Sequence, residues 1–380
     1  MGIEKAKYKG HYVIVFAVEH YNTLGLIRSL GESGIKPIYI AIKGKAKVAS
    51  TSKYVSKCYC VDTEKEGYDI LLGNYGHEEE KPFVLCIDDK TVAYMDERFN
   101  ELHGKFIYFN AGSTNRINEF MDKLNILNMA NKHGLKTLKA YKCNRGEIPT
   151  DIKYPIITKS SSPTIGGWKS DVHVCNSVEE LKQAYETIKA PTVLVQEYIE
   201  KKNEYCLEGC SVNHGKSVLI SIASTYNYLL PNYYSPYMTV QNMDNDFVRN
   251  ALQKMLEDIG FEGIFEVEFL IDQDGSLYFG EINFRNSTWS YASTVAGMNL
   301  PTIWITGMLE GKIEEDALKD IPEPFTAMVE PIDYGKRVDT GKTTYAEWLG
   351  DLKDAKCLYY YHKEDREPYY EMMRNWDILK

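Results

Sequence analysis

Apolar positions come first as a short unbroken run, Tyr12 to Val18, followed by a helical stretch at Leu24 to Ser33 and a second run at Pro37 to Ile42. A helical segment near Tyr68 to Tyr75 and a third run at Pro82 to Ile87 complete the first quarter of the chain. Apolar runs without polar alternation, separated by helices, predict parallel strands covered on both faces, hence a doubly wound α/β sheet. Helical periodicity then holds from Asn115 to a Lys132-His133-Gly134 stop. Short strands follow near Lys139 to Cys143 and Ile156 to Lys159, and a helix at Ser177 to Lys189 opens with the capping-box pattern Ser177-Val178-Glu179-Glu180. Strands at Thr192 to Tyr198, Tyr205 to Val212 and Ser217 to Ser224 precede a helix at Asn245 to Ile259. No repeat or low-complexity linker interrupts this order, and the Tyr-, Lys- and Asp-rich chain after Pro322 reads as an appended lobe.

The most informative pattern spans Phe265 to Arg285. Two apolar-alternating runs flank Asp274-Gly275, which predicts a hairpin with a two-residue type I′ turn. Pairing Gln273 with Ser276 sets Glu268 opposite Glu281 and Glu266 opposite Asn283 on one face. Directly opposed carboxylates, about 5 Å apart at Cβ, are destabilising unless a cation lies between them. Glu268, Glu281 and the Asn283 amide oxygen form a hard-oxygen set suited to Mg²⁺ bridging nucleotide phosphates, with Arg285 two residues further on the same face. The alternative, an exposed face made soluble by acids, predicts interleaved lysines, and none occurs between Phe265 and Phe284. A bulge would shift this register.

Upstream, Lys159 ends a buried-looking strand and precedes Ser160, Ser161, Gly166 and Gly167, small residues whose amides could fold over phosphates, although by themselves they read more often as an ordinary surface turn. The run Gln196-Glu197-Tyr198-Ile199 ends an apolar strand shortly before Glu204; such an end could meet an adenine edge and ribose hydroxyls, or be a plain strand and turn. The turn from Val18 to Thr23 lacks G-x-G-x-x-G, so a nicotinamide or flavin site has no support there.

With 380 residues, 44% hydrophobic and 26% charged, the chain has the composition of a globular protein of two or three units. Its net charge of −10 disfavours nucleic acid and anionic membranes as partners. The seven-residue run from Tyr12 to Val18 is too short for a signal core or a membrane span. Eight cysteines without C-x-x-C pairing predict reduced thiols and a cytoplasmic protein; Cys58/Cys60 and Cys206/Cys210 approach metal-ligand spacing but lack a second pair or histidines.

In this order the features resemble the ATP-grasp superfamily: Asp122-Lys123 in a helix, Lys159, the Ser/Gly loop, Gln196 to Ile199, Glu204, Glu268 and Glu281-Ile282-Asn283-Phe284-Arg285. Residues 22–31 and 52–55 look like the pre-ATP-grasp domain of the carboxylate-amine ligase branch that includes D-aspartate ligase-like proteins. The resemblance implies a Rossmann-like pre-ATP-grasp domain over 1–113, a two-lobed ATP-grasp fold over 114–320 with its small lobe at about 137–200, and a C-terminal lobe over 321–380. It further implies ATP held by Lys123, Lys159, Ser160, Ser161, Gly166, Gly167, Gln196, Glu197, Tyr198, Ile199 and Glu204, and one or two Mg²⁺ (or Mn²⁺) on Glu268, Glu281 and Asn283. Arg285 and Lys159 are the implied catalytic residues.

The implied reaction is phosphorylation of a small carboxylic acid and attack by an amine, forming an amide, ADP and phosphate, in a chain compatible with a homodimer. Many members carry a further Lys or Arg in the segment matching Ser217 to Val248; here that stretch has none, but holds Tyr226, Tyr228, Tyr233, Tyr234 and Tyr237. Two alternatives follow: a nucleotide-binding regulatory protein with weakened turnover, and an ATP-dependent carboxylase-like enzyme using bicarbonate.

Overall fold

In the first sheet every residue of β2 (His11–Val18) but the last is buried, as a central parallel strand requires. It lies between β3 (Ile38–Ile42) and β5 (Phe83–Leu85); β4 (Lys57–Val61) and β6 (Ile107–Tyr108) form the edges, all in parallel, and β1 (Lys7–Tyr8) joins β2 antiparallel. The computed structural model describes residues 7–163, 168–231 and 233–380. Helices α1 (Tyr21–Glu32), α2 (Glu64–Tyr75), α3 (Asp89–Asp96) and α4 (Phe99–Leu102) connect these strands, giving the doubly wound sheet that the pattern predicts. The sequence pattern misses β4: an edge strand with alternating exposure carries Lys-Cys-Tyr-Cys instead of an apolar run.

The expected single helix over 115–134 is two, α5 (Arg116–Met121) and α6 (Lys123–Lys132). Asp122 breaks it because its carboxylate caps α6, accepting from the amides of Leu124 (3.1 Å) and Asn125 (3.3 Å), with its own backbone extended. A small antiparallel sheet follows, β7 (Ala140–Asn144), β8 (Ile156–Ser160), β9 (His173–Cys175) and β10 (Thr192–Glu197), in the order β7-β10-β8-β9, with α7 (Val178–Thr187) against it. Half of the predicted capping box forms: Ser177 accepts from the Glu180 amide, but the Glu180 carboxylate accepts from Asn176 N, one residue further out.

The large sheet runs β15-β14-β11-β12-β13-β16-β17, built from β11 (Asn203–Val212), β12 (Ser217–Tyr226), β13 (Tyr237–Gln241), β14 (Gly263–Ile271), β15 (Leu277–Asn283), β16 (Phe325–Met328) and β17 (Cys357–Leu358). Its helices are α8 (Asp246–Ile259), α9 (Ser290–Val295), α10 (Leu300–Glu310), α11 (Glu330–Arg337), α12 (Tyr345–Asp354), α13 (Glu367–Arg374) and α14 (Trp376–Leu379). The segment after 321 is therefore continuous with this sheet instead of appended to it. It is also tied to the first domain: the fully buried Arg28 of α1 donates to Asp365 Oδ2 (3.0 Å) and to the carbonyls of Tyr359 (2.8 Å), Tyr360 (3.0 Å) and Asp365 (3.0 Å). Among the described residues no helix is long and apolar enough to cross a membrane.

Candidate active site

The site is built on the β14–β15 hairpin. Its turn is a three-residue loop and not the predicted two-residue one: Gly275 N donates to Asp272 O (3.1 Å), Gly275 has φ +83°, and the Asp272 carboxylate accepts from the amides of Asp274 (3.0 Å) and Ser276 (2.8 Å). The extra turn residue shifts pairing by one, so Phe269 faces Phe279. A bulge at Gly280 then restores the offset, and Glu268 faces Glu281 and Glu266 faces Asn283, as the sequence predicts. Two irregularities cancel.

This face is not the soluble surface considered as an alternative, because Glu266 is buried and the hairpin lies against cations from other elements. Lys123, at the first turn of α6, is ion-paired with Glu281. Asn283 Nδ2 donates to Glu266 (3.1 Å) and Glu268 (3.3 Å), and its Oδ1 accepts from Arg285 Nη2 (3.2 Å), whose Nε donates to Asp89 (2.8 Å). Lys159, on β8, donates to Gln196 of β10 at 3.4 Å.

The electrostatics record this crowding. The Lys123 ammonium holds the Glu281 carboxyl down at about 2. Burial, then the charges of Glu281, Glu266 and Glu204, push Glu268 well above the carboxylate range. Burial and neighbouring Lys123 lower Lys159, whereas on Lys123 the pull of burial is outweighed by Glu281. The charges of Glu204, Glu268, Glu281 and Lys123 all act on Lys159, so these predicted residues form one electrostatic cluster.

The other predicted residues fall into place unevenly. Ser160 and Ser161 are buried beside the cleft, with Ser161 O accepting from Lys123 N (2.8 Å). Glu204 is ion-paired with Lys201. The amides of Glu197 and Tyr198, expected at an adenine edge, are already spent on Lys139 O (2.8 Å) and Pro155 O (2.9 Å), which leaves Ile199 N without a partner among the described residues. Gly166 and Gly167 lie outside the described residues.

Three groups at the site, Glu208, Asp89 and His20, escaped sequence reasoning, and Glu266, predicted on the hairpin face, gains a partner that the sequence did not indicate. Glu266 and Glu208 form a buried pair across β14 and β11; Ser287 and Ser290 donate to Glu208 at 2.5 and 2.6 Å, and burial raises Glu208 to about 7 and Glu266 to about 8. A single acid within the apolar run of β11 was the available signal for Glu208. Asp89, which holds Arg285, follows no motif. His20 caps α1, its Nδ1 accepting from Asn22 N (3.3 Å), and is brought beside Arg285 by the fold alone.

Among the described residues no three His, Cys, Asp or Glu side chains are grouped to hold a metal unaided. Two facing carboxylates and an amide nevertheless suit Mg²⁺, which takes one or two protein carboxylates and completes its shell with water and substrate phosphates. The buried excess of acid supplies the need for a cation, met in this structure by Lys123.

Residues 118–306 match the family model for the ATP-binding domain of the carbamoyl-phosphate synthase L chain. This segment belongs to the ATP-grasp superfamily. The chain is 24% identical over 300 residues to the 2-oxoglutarate carboxylase small subunit of Hydrogenobacter thermophilus, covering 68% of this chain and 58% of that one. It is 24% identical over 222 residues to a carbamoyl-phosphate synthase of Methanobrevibacter smithii, covering 56% and 58%. The chain thus spans under two thirds of each relative. Similar ATP-grasp folds occur in the solved L-amino acid ligase from Bacillus licheniformis (TM-score 0.63, 13% identity, 85% of this chain and 81% of that one). The N5-carboxyaminoimidazole synthetase from Staphylococcus aureus is likewise similar (TM-score 0.66, 16% identity, 90% and 88%).

Proposed function

We propose that this ATP-grasp protein is a cytoplasmic ligase that phosphorylates a small carboxylic acid with ATP and joins it to an amine. The observation that carries this reading is the convergence of Lys123, Lys159 and Arg285 on the half-buried face that holds Glu268, Glu281 and Asn283. Phosphoryl transfer needs alignment and charge neutralisation more than a protein nucleophile, and such a cation set is suited to that task.

In the proposed reaction Lys123 and Lys159 hold phosphate oxygens, with Gln196 and Ile199 toward the base and Glu204 toward the ribose. The acid's oxygen attacks the γ-phosphorus, and the bond to the ADP oxygen breaks. The amine then attacks the acyl carbonyl and phosphate leaves, with Arg285 facing the charge that develops. Glu268, Glu281 and Asn283 would hold one or two Mg²⁺, which when bound neutralise phosphate charge.

A carboxylase-like reaction, with bicarbonate as the acid, is the second reading; the Hydrogenobacter relative favours it. The regulatory alternative keeps its motive: residues 217–248 hold no Lys or Arg, and Arg337 of α11, which lies over the rings of Tyr228 (5.6 Å) and Tyr237 (4.9 Å), is ion-paired with Asp333 (2.8 Å) and Asp351 (2.6 Å).

The test is ADP release with Mg-ATP against a panel of carboxylic acids, each with and without amines, plus a bicarbonate arm. Release that requires an acid and an amine together supports the ligase. Release driven by bicarbonate alone supports the second reading, and nucleotide binding without stimulated release refutes both.

A further inference from the structure

In the first sheet the strand order reverses at β2, between β3 and β5. Doubly wound sheets form ligand crevices at such a reversal, beyond the carboxyl ends of the strands. Here those ends lead to His20 after β2, residues 43–47 after β3, and Asp88-Asp89 after β5. The Asp89–Arg285 ion pair (2.8 Å) joins this crevice to the candidate active site.

The loop after β3 is held firmly. The Glu19 carboxylate accepts from the amides of Val48 (3.2 Å), Ala49 (2.9 Å) and Ser50 (3.3 Å), Glu19 N donates to Ile42 O (2.8 Å), and a Cβ at Gly44 would collide with the Glu19 carbonyl. Residues 43–47 therefore pack on the residue directly before His20. Lys43, Lys45 and Lys47 are exposed and, among the described residues, none is in an ion pair. The segment 43–57 holds five lysines and no acid in a chain of net charge −10.

The neighbouring acids are engaged elsewhere. Glu19 is bound by the three amides, Asp89 by Arg285, and Asp88 accepts from Thr91 N (2.8 Å) and Val18 N (3.4 Å). His20 is exposed at the crevice, where the charges of Arg285 and Lys45 act on its ring. Because Nδ1 accepts from Asn22 N, the ring proton sits on Nε2, which is thus a donor.

We propose that the crevice between His20, Lys45 and Arg285 is an anion-recognition subsite, so that the amine substrate of the ligase carries a carboxylate or a phosphate held by Lys45 and His20 Nε2. This rests on the ligase reading, in which an amine is the second substrate. An unpaired cation on a pinned loop binds an anion with little ordering cost.

Calorimetric titration of the full chain, loaded with ADP and Mg²⁺, tests the subsite with β-alanine, phosphoethanolamine and putrescine. At least one anionic probe is expected to bind and putrescine is not; whichever binds identifies carboxylate or phosphate. Loss of a charge-assisted contact in Lys45→Gln or His20→Ala weakens that binding by about tenfold or more, and Lys45→Arg restores most of it, with ADP affinity unchanged. Equal binding of the anionic probe by Lys45→Gln and the wild type, binding of putrescine as strong as that of the anions, or binding of none of the three with ADP bound would each overturn the subsite. If ADP fails to bind while an anionic probe binds through Lys45, the ligase reading falls and the anion subsite stands.

Discussion

Replacing Glu281 by Gln keeps the shape of the side chain and removes one of two facing charges. The depression of this carboxyl from 4.5 to about 2, owed first to Lys123, corresponds to about 3 kcal/mol of stabilisation at pH 7. That figure is an upper bound, since 32% of the Glu281 side chain is exposed and solvent screens the pair. The substitution also frees Glu268 from an opposed charge, so the expected net loss is about 1 to 2 kcal/mol. A depressed carboxyl stabilises above its unfolded value and loses that contribution as pH falls through its folded one. The gap between wild type and variant should therefore narrow from pH 5 toward pH 3. Urea denaturation at the two pH values measures it, and an unchanged gap would refute the assigned electrostatics. ATP turnover should fall by about 100-fold or more, the equivalent of about 3 kcal/mol of charge stabilisation in the transition state. A Glu281→Gln protein with wild-type ADP release would end the proposal that this carboxylate serves the phosphates.

Lys159→Ala should weaken ATP binding by about tenfold or more in calorimetry with little change in melting temperature, since its contact in the nucleotide-free chain is one 3.4 Å bond; equal affinity counts against the role. Arg28→Met leaves Asp365 buried without its partner and should cost about 3 to 5 kcal/mol in urea denaturation; a loss below 1 kcal/mol would show that the Arg28 tie to the C-terminal segment contributes little. Burial raises Glu208 to about 7 and Glu266 to about 8, so these acids favour the fold below their ordinary range, and that contribution is lost as pH rises through 7 and 8. The nucleotide-free protein should lose stability between pH 5 and 9, and Glu208→Gln should flatten the curve; a wild-type profile that is already flat refutes the pair.

What the sequence determined is whatever depends on near neighbours in the chain. The unbroken apolar run of β2 reads directly as a buried parallel strand, and the alternation around Asp274-Gly275 puts Glu266, Glu268, Glu281 and Asn283 on one face of a hairpin. Both follow from strand geometry with a period of two. The same local rules fail where a side chain answers to something distant. Asp122 breaks a helix that periodicity would continue, and β4 at a sheet edge carries no apolar run. The turn after Asp272 is one residue longer than its Asp-Gly pattern predicts, and only the Gly280 bulge returns the predicted facing pair.

Tertiary structure alone decided the electrical character of the site. Lys123 and Glu281 are 158 positions apart, Arg285 and Asp89 are 196 apart, and Arg28 reaches Asp365 across 337. Chain distance carries no information about such pairs, because each forms where separately folded elements are packed together. Burial acts the same way: nothing in the residues around Glu208 or Glu266 gives the loss of water that shifts them, since it is imposed by the strands and helices that close over them.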